Sequence, residues 1–311
     1  MTGAPTISDH PHISVVIPHL NEPEDLRRCL DALAAQRDDG VPFEIIVVDN
    51  GSREPPVAVC SAFDGVRLEQ ELMPGPGPAR NRGASVARGD IIAFIDADCL
   101  AQAGWVKGIA DHFEADPDAE ILAGDVGVAR ADPGRPTALE IYESIYSYRV
   151  RLYVERDNYA ATGNMAVRKD VFEAVGRFGG IATMEDKEWG QRAVALGFRL
   201  AFAPQVKVLT PACKTLTELA VRWDRHIAHD FGEISQRRGG MLRWTLLSLA
   251  VAASPLAEAG KLAISGRGYG FGERLGALRC LTAIRLHRAR KMVSLLGNDR
   301  AAQMVGSWNR D

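Results

Sequence analysis

Apolar residues in the first half of this chain come in short unbroken runs, each ended by a turn rich in glycine, proline or aspartate. ISVVI, within HISVVIPHL, predicts a β-branched strand over Ile13–Ile17, and Pro23 then opens a helix that Asn21 or Glu22 can cap. EIIVV in FEIIVVDNGS predicts a second strand over Glu44–Val48, ending at Asp49; continuous apolar residues suit a strand buried on both faces. PGPGPARNRGASVARGD supplies a loop, a helix starting near Pro78 and a stop at Gly89, and IIAFI is the next strand.

Further on, Trp105–Glu114 reads as a helix and EILAGDVGVA as a strand reaching Asp125. The pattern breaks at Gly163-Asn164, resumes as a short helix after Lys169, and continues as an acidic helix closed by Gly197 and a strand over Phe198–Phe202. From Thr215 the chain looks helical and increasingly basic. Alternating strands and helices predict an α/β domain with a mostly parallel sheet over residues 1–214, followed by a helical appendage over 215–311.

Composition narrows this picture only slightly. With 311 residues, 46% hydrophobic and 25% charged, the chain has the make-up of an ordinary globular protein. A formal net charge of -3 provides no global attraction to nucleic acid. Cys29, Cys60, Cys99, Cys213 and Cys280 lie far apart without a CxxC pair, which fits a reducing cytoplasm better than a disulfide framework or a zinc site. MTGAPTISDHPH lacks a basic and then apolar leader, so export is not expected. Between Met241 and Ile264 the uncharged centre runs only from Trp244 to Ala257, short of the ~20 residues that a bilayer span needs; it reads as a buried or interfacial helix.

Candidate chemistry sits where the apolar runs stop. Ligands of open α/β sheets bind at the carboxyl ends of strands, where Asp49, Asp96 and Asp125 all fall. Alternation along an extended chain sends Asp96 and Asp98 to one side and Ala97 to the other. Two carboxylates so close repel unless a cation or donors lie between them, and a hard divalent ion that also takes diphosphate oxygens is a natural occupant. The competing account has both residues capping the following loop or the helix at Trp105.

Taken together, ISVVIPHLNE, EIIVVDNGS, PGPGPARNRGASVARGDIIAFIDADC, ATGNMAVRKDVF and MEDKEWGQRAVALGFRLAFAP, in that order and spacing, resemble the nucleotide-sugar glycosyltransferases of family 2, with the GT-A fold. The resemblance covers about Ile13 to Pro204. It implies a Rossmann-like sheet flanked by helices, and a nucleotide pocket lined by Pro18, Asn21, Glu22 and Asp49, with Arg80 as a basic residue nearby. Asp96 and Asp98 become the motif that holds Mg2+ or Mn2+ and the diphosphate. A carboxylate at Asp49 can accept the imide N–H of a uracil, and the family's habit implies UDP rather than GDP; an Asx turn with Gly51-Ser52 is the alternative. For Arg80 the alternative is a surface helix position, with Arg82 beside it.

The same resemblance implies inverting transfer of a sugar to a hydroxyl acceptor in polysaccharide or glycolipid synthesis. Asp186 would act as base and Glu185 would position hydroxyls, unless both merely meet the dipole of their helix. Gly163 and Asn164 match the loop that approaches the donor sugar, or form a simple tight turn. One departure stands out: Thr210, in VLTPACKTL, occupies the place of a histidine that many GT-A enzymes use as a further metal ligand. His226 and His229 are spaced to share one side of a helix and offer a substitute, although ordinary helix positions fit them better.

Arg274, Arg279, Arg285, Arg288, Arg290 and Lys291 fall in a stretch without an acidic residue, which together with the apolar Trp244–Ala257 stretch suggests contact with an anionic membrane and a lipid-linked or saccharide acceptor; a solvated helical appendage is the alternative. The expected location is the cytoplasm, with peripheral contact at the inner membrane face. Rival readings are a non-catalytic binding or scaffold protein on the same fold, a phosphatase, and a nucleotidyltransferase. A phosphatase DxD normally follows the first strand, and the glycine-rich, lysine-bearing first loop of a nucleotidyltransferase is absent here.

Overall fold

The computed structural model describes residues 11–132, 134–181, 183–264 and 269–297. Most of the N-terminal stretch read above for a leader lies outside them. β1 (Ile13–His19) leads into α1 (Pro23–Ala34), which turns Leu26, Cys29, Leu30 and Leu33 inward at helical spacing. β2 (Phe43–Asp49), buried throughout, is followed by the single turn α2 (Val57–Cys60) and by β3 (Val66–Gln70). α3 (Pro76–Val86) then precedes β4 (Ile91–Ile95) and the two-residue β5 (Leu100–Ala101).

α4 (Trp105–Ala115) and β6 (Ile121–Ala129) follow, then α5 (Ala138–Tyr146), α6 (Val150–Glu155), β7 (Asn164–Arg168) and α7 (Lys169–Val175). α8 (Glu185–Ala195), β8 (Leu200–Pro211), α9 (Leu216–Ser235), α10 (Gly240–Ile264) and α11 (Phe271–Ser294) complete the described chain, with a short 3-10 turn at Leu295–Gly297.

The strands form one sheet in the order β3-β2-β1-β4-β7-β6-β8-β5. Parallel pairing, which the βα alternation predicts, holds for β3-β2-β1-β4. Past β4 the sheet changes character: β7 runs antiparallel to both β4 and β6, and β5 antiparallel to β8. That change places a chain reversal beside the end of β4. Asp125 is not at a strand end, because β6 continues to Ala129, and its carboxylate pairs with Lys207 at 2.9 Å. β8 is also longer than Phe198–Phe202, because the alternating VKVLT segment extends it.

Close packing fixes the parallel half. A Cβ on Gly83 of α3 would meet Val16 Cγ1 of β1 at 2.3 Å, so the helix lies on the strand only because that side chain is missing. Phe94, Phe172, Phe178 and Trp189 form an aromatic cluster of tilted, edge-on and stacked pairs with ring centroids 5.3–5.7 Å apart, seating α7 and α8 against β4. Trp189 Nε1–H donates to Gly176 O at 2.7 Å, which fixes the start of α8.

The chain divides into two compact units. One holds the described residues up to Gly127 together with Arg149–Thr210; the other holds Val128–Tyr148 and the described residues from Pro211 onward. The second unit draws α5 from between β6 and α6. Its side chains explain why: Ile141, Tyr142 and Tyr146 share a core with Leu219 of α9 and with Ala277, Leu281 and Ile284 of α11. All five cysteines are free thiols.

Candidate active site

Where β4 ends, buried apolar side chains give way to Asp96 and Asp98. Neither caps α4: Gly104, in the left-handed region at φ 76, stands at that helix's start, and no side chain caps it. The capping account therefore fails for α4. Asp96 instead receives Arg80 Nη2–H at 2.5 Å, while Arg80 Nη1–H donates to Glu185 Oε1 at 3.0 Å. Arg80 is buried, whereas Arg82 is exposed and paired with Glu69, so the two neighbouring arginines have separate jobs. One guanidinium thus ties the end of β4 to the first turn of α8.

Two carboxylates beside this clamp have no cation of their own. Asp98 and Asp186 are half-buried, and among the described residues neither forms an ion pair. Burial, followed by the neighbouring Asp96, pushes the Asp98 carboxyl up to about 6. Burial and the adjacent Glu185 push Asp186 up to about 7, despite the Lys187 N–H that donates to its Oδ1 at 2.7 Å. Of the four carboxylates, only Asp96 and Glu185 pair with Arg80. Both residues of the acidic pair sit in the first turn of α8, so a favourable helix-dipole contact accompanies this arrangement.

The reversal into β7 closes the site on another side. Ile95 pairs with Asn164, and the next step of that antiparallel register faces Asp96 with Gly163. A Cβ on Gly163 would stand 2.8 Å from Asp96 Oδ2, so only glycine lets the strand pass. The Asn164 side chain is 1% exposed and turned into the sheet. Its Oδ1 accepts from Trp105 Nε1–H at 2.8 Å, and its Nδ2 donates to Asp125 O and Val206 O at 2.8 and 2.9 Å. With its polar atoms so bonded, that side chain fixes strand register.

At the ends of β1 and β2 lies a tighter network. Asp49 is 2% exposed; Ser52 N–H donates to its Oδ2 at 3.3 Å, the Asx-type turn expected with Gly51-Ser52. His19, given no role by the sequence pattern, supplies the second contact. Glu22 N–H donates to His19 Nε2 at 3.2 Å, which leaves the neutral ring's proton on Nδ1, facing Asp49 Oδ1 at 3.3 Å. Burial lowers the pKa of this imidazole, consistent with a neutral ring. Asn21 adopts φ 58, and Arg53 N–H donates to its Oδ1 at 2.9 Å. The Asp49 carboxylate thus braces the turn from within. Pro18 is half-buried beside it, and Asn21 and Glu22 are exposed.

Asn50 was a second omission. Its Nδ2 donates to Glu71 O and Met73 O, each at 2.8 Å, and its Oδ1 accepts from Gly75 N–H, tying the loop before α3 to the end of β2. The available signal was its place directly after a strand-ending aspartate. Thr210 is buried in β8, and continuing the β5–β8 register sets it opposite Cys99, one residue from Asp98. His226 is packed against Trp223, and burial pushes it down to about 4. Among the described residues, no group of three or more histidine, cysteine or acidic side chains is arranged to hold a metal.

The sequence profile of Glycosyl transferase family 2 matches residues 14–176, more than half of the chain. This protein belongs to glycosyl transferase family 2. A family member from Haloferax volcanii, glycosyltransferase AglE, is 32% identical over 209 residues, covering 65% of this chain and 67% of AglE. The pre-mycofactocin glycosyltransferase of Mycobacterium tuberculosis is 31% identical over 148 residues, 46% of this chain but only 29% of its own length. In three dimensions the chain is similar to the mannosyltransferase PcManGT from Pyrobaculum calidifontis, solved in complex with GDP-Man and Mn2+. The TM-score is 0.59 at 18% identity, covering 96% of this chain and 90% of that one. The fold of this family 2 glycosyltransferase is thus GT-A, with the Arg80 clamp at the end of its central strand.

Proposed function

We propose that this glycosyltransferase moves a sugar from a nucleoside diphosphate to a hydroxyl acceptor with inversion, using Asp186 as the base. The reading is carried by one observation: Arg80 joins Asp96 to Glu185 and leaves Asp98 and Asp186 without a cation. As the acceptor oxygen bonds to the anomeric carbon, the bond from that carbon to the diphosphate oxygen breaks, and the acceptor proton passes to Asp186. A carboxyl poised near 7 is a competent base at neutral pH. Glu185, fixed through Arg80, orients hydroxyl groups beside it. The backbone at Gly163, bare of a side chain, leaves room for a donor sugar against Asp96.

A divalent cation fits these residues. Asp98 offers hard oxygen donors without a counter-charge, and Asp96 keeps Oδ2 clear of the Arg80 bond made to Oδ1. When bound, Mg2+ or Mn2+ would neutralise the departing diphosphate. The Mn2+ and GDP-Man of the Pyrobaculum neighbour support this class of ligand, and UDP and GDP sugars are both tested below. A saccharide or lipid-linked acceptor in polysaccharide or glycolipid synthesis accords with the family.

A second reading, a non-catalytic scaffold that binds no donor, draws on Thr210 beside the DxD pair. Thermal shifts with UDP and GDP sugars, with and without Mn2+, decide between them. A metal-dependent shift that disappears in Asp98→Ala supports transfer; a shift that persists in that variant overturns the metal assignment. Absence of any shift favours the scaffold.

A further inference from the structure

We propose that the outer face of α10 docks in the plane of an anionic phospholipid membrane. Leu242, Leu246, Leu249 and Leu256 are 67%, 59%, 61% and 87% exposed, and their spacing of four, three and seven residues places them on one stripe. The opposite side is held within its own unit. Trp244, buried with Ile227, Met292 and Leu295, donates from Nε1 to Met292 O at 2.8 Å, and Ser248 is also buried. α10 is long and apolar enough to cross a bilayer, yet one side packs on α9 and α11, which carry Asp224, Arg285 and Lys291. Lipid can therefore reach one face only, and the helix lies flat.

Charge selects the occupant. Arg237 and Arg238 stand exposed just before α10, and Arg243 is exposed on its first turn. Among the described residues none of the three pairs with a carboxylate, and no acidic residue occurs between Glu233 and Glu258. The richer basic segment of α11 does not serve. Arg285 is paired with Glu258 of α10, Lys291 with Asp224 of α9, and Arg288 lies 3.6 Å from the centre of the Trp223 ring. Of the two stretches expected to face a membrane, Trp244–Ala257 is therefore favoured over Arg274–Lys291, because much of the latter's charge is used inside the unit. A second copy on the leucine stripe would bring these three arginines no carboxylate from the same stretch, whereas anionic headgroups neutralise them.

The test is co-sedimentation of the full chain with vesicles of phosphatidylcholine alone or mixed equally with phosphatidylglycerol. Wild type should sediment with the mixed vesicles and remain in solution with the neutral ones. Arg237→Gln/Arg238→Gln/Arg243→Gln should weaken partition about a hundredfold, and Leu246→Glu/Leu249→Glu at least about tenfold. Unchanged circular dichroism and melting temperature establish that both variants fold, and the arginine variant alone suffices should the leucine variant not fold. Wild type left in solution with mixed vesicles, or either folded variant binding like wild type, overturns the proposal. So does a dimer in lipid-free buffer that Leu246→Glu/Leu249→Glu converts to monomer, since a second copy would then own the stripe. Donor-sugar thermal shifts are read separately, so failure here leaves the transfer reading untouched.

Discussion

The two ends of the parallel half-sheet treat carboxylates in opposite ways. At the amino end, Glu44 of β2 is buried and saturated: Ser14 Oγ–H and Arg88 N–H donate to Oε1, each at 2.7 Å. Arg88 Nε and Arg67 Nη1 donate to Oε2 at 3.0 and 3.3 Å. Burial alone would raise its pKa, but these donors hold it below the ordinary value. At the carboxyl end, only Asp96 and Glu185 pair with Arg80, and Asp98 and Asp186 are pushed up to about 6 and 7. Charge is balanced where the sheet needs stability and left unbalanced where a ligand can complete it.

Asp186→Asn breaks this contrast most sharply. Loss of the proposed base should lower kcat by about 10²–10⁴-fold in an initial-rate assay of sugar transfer. Stability should move the other way. A folded pKa raised to about 7 means that ionisation destabilises the fold progressively as pH rises from the ordinary carboxyl value to about 7, and fully above it. The asparagine variant should therefore melt on the order of 2–4 °C higher than wild type at pH 8, with the difference shrinking toward pH 4. A lower melting temperature at pH 8 would mean that Asp186 is paid for like Glu44, and the contrast would collapse.

Arg80→Met should have the next largest effect, because it strands Asp96 and Glu185 near two other carboxylates. Removing one partner of a buried ion pair costs about 3–5 kcal/mol; with Asp96 partly exposed, about 2–4 kcal/mol is expected from denaturant unfolding at pH 7.5. Gly163→Ala probes the same site sterically. Its Cβ would press on Asp96 Oδ2 at 2.8 Å, so Mn2+-dependent nucleotide-sugar binding should weaken about tenfold by calorimetry while the fold persists. Unchanged affinity would separate Asp96 from the metal.

The sequence made the strand ends legible because β4 is an unbroken apolar run and β1 and β2 are interrupted only near their starts, by Ser14 and Glu44, before the charged or polar residues that end them. What it hid depends on the fold past β4. Asn164 looks like a loop residue until antiparallel pairing of β7 turns its side chain inward. Arg80 and Arg82 cannot be told apart in α3, whose glycine, alanine and proline content leaves no strong apolar stripe. α5 reads as part of the first unit because its partners, α9 and α11, come more than seventy residues later. His19 was invisible for another reason: its value lies in two ring nitrogens facing Glu22 and Asp49 across a turn.

Glu44→Gln gives the smallest effect and tests the saturated end. The amide keeps one oxygen for Ser14 and Arg88 but turns an NH2 group toward cations that had a carboxylate, a loss of about 1–2 kcal/mol at pH 7.5. Because the folded pKa is lowered, the stability due to ionised Glu44 is fully present above the ordinary carboxyl value of about 4.3 and is lost as pH falls through the folded value. Wild type and variant should therefore converge in melting temperature as pH is taken below about 4. Transfer rates should stay equal, since Glu44 lies at the opposite end of β2 from the site. A rate that falls with stability intact would mean that the two ends are coupled through the sheet, and that the balance at one end sets the imbalance at the other.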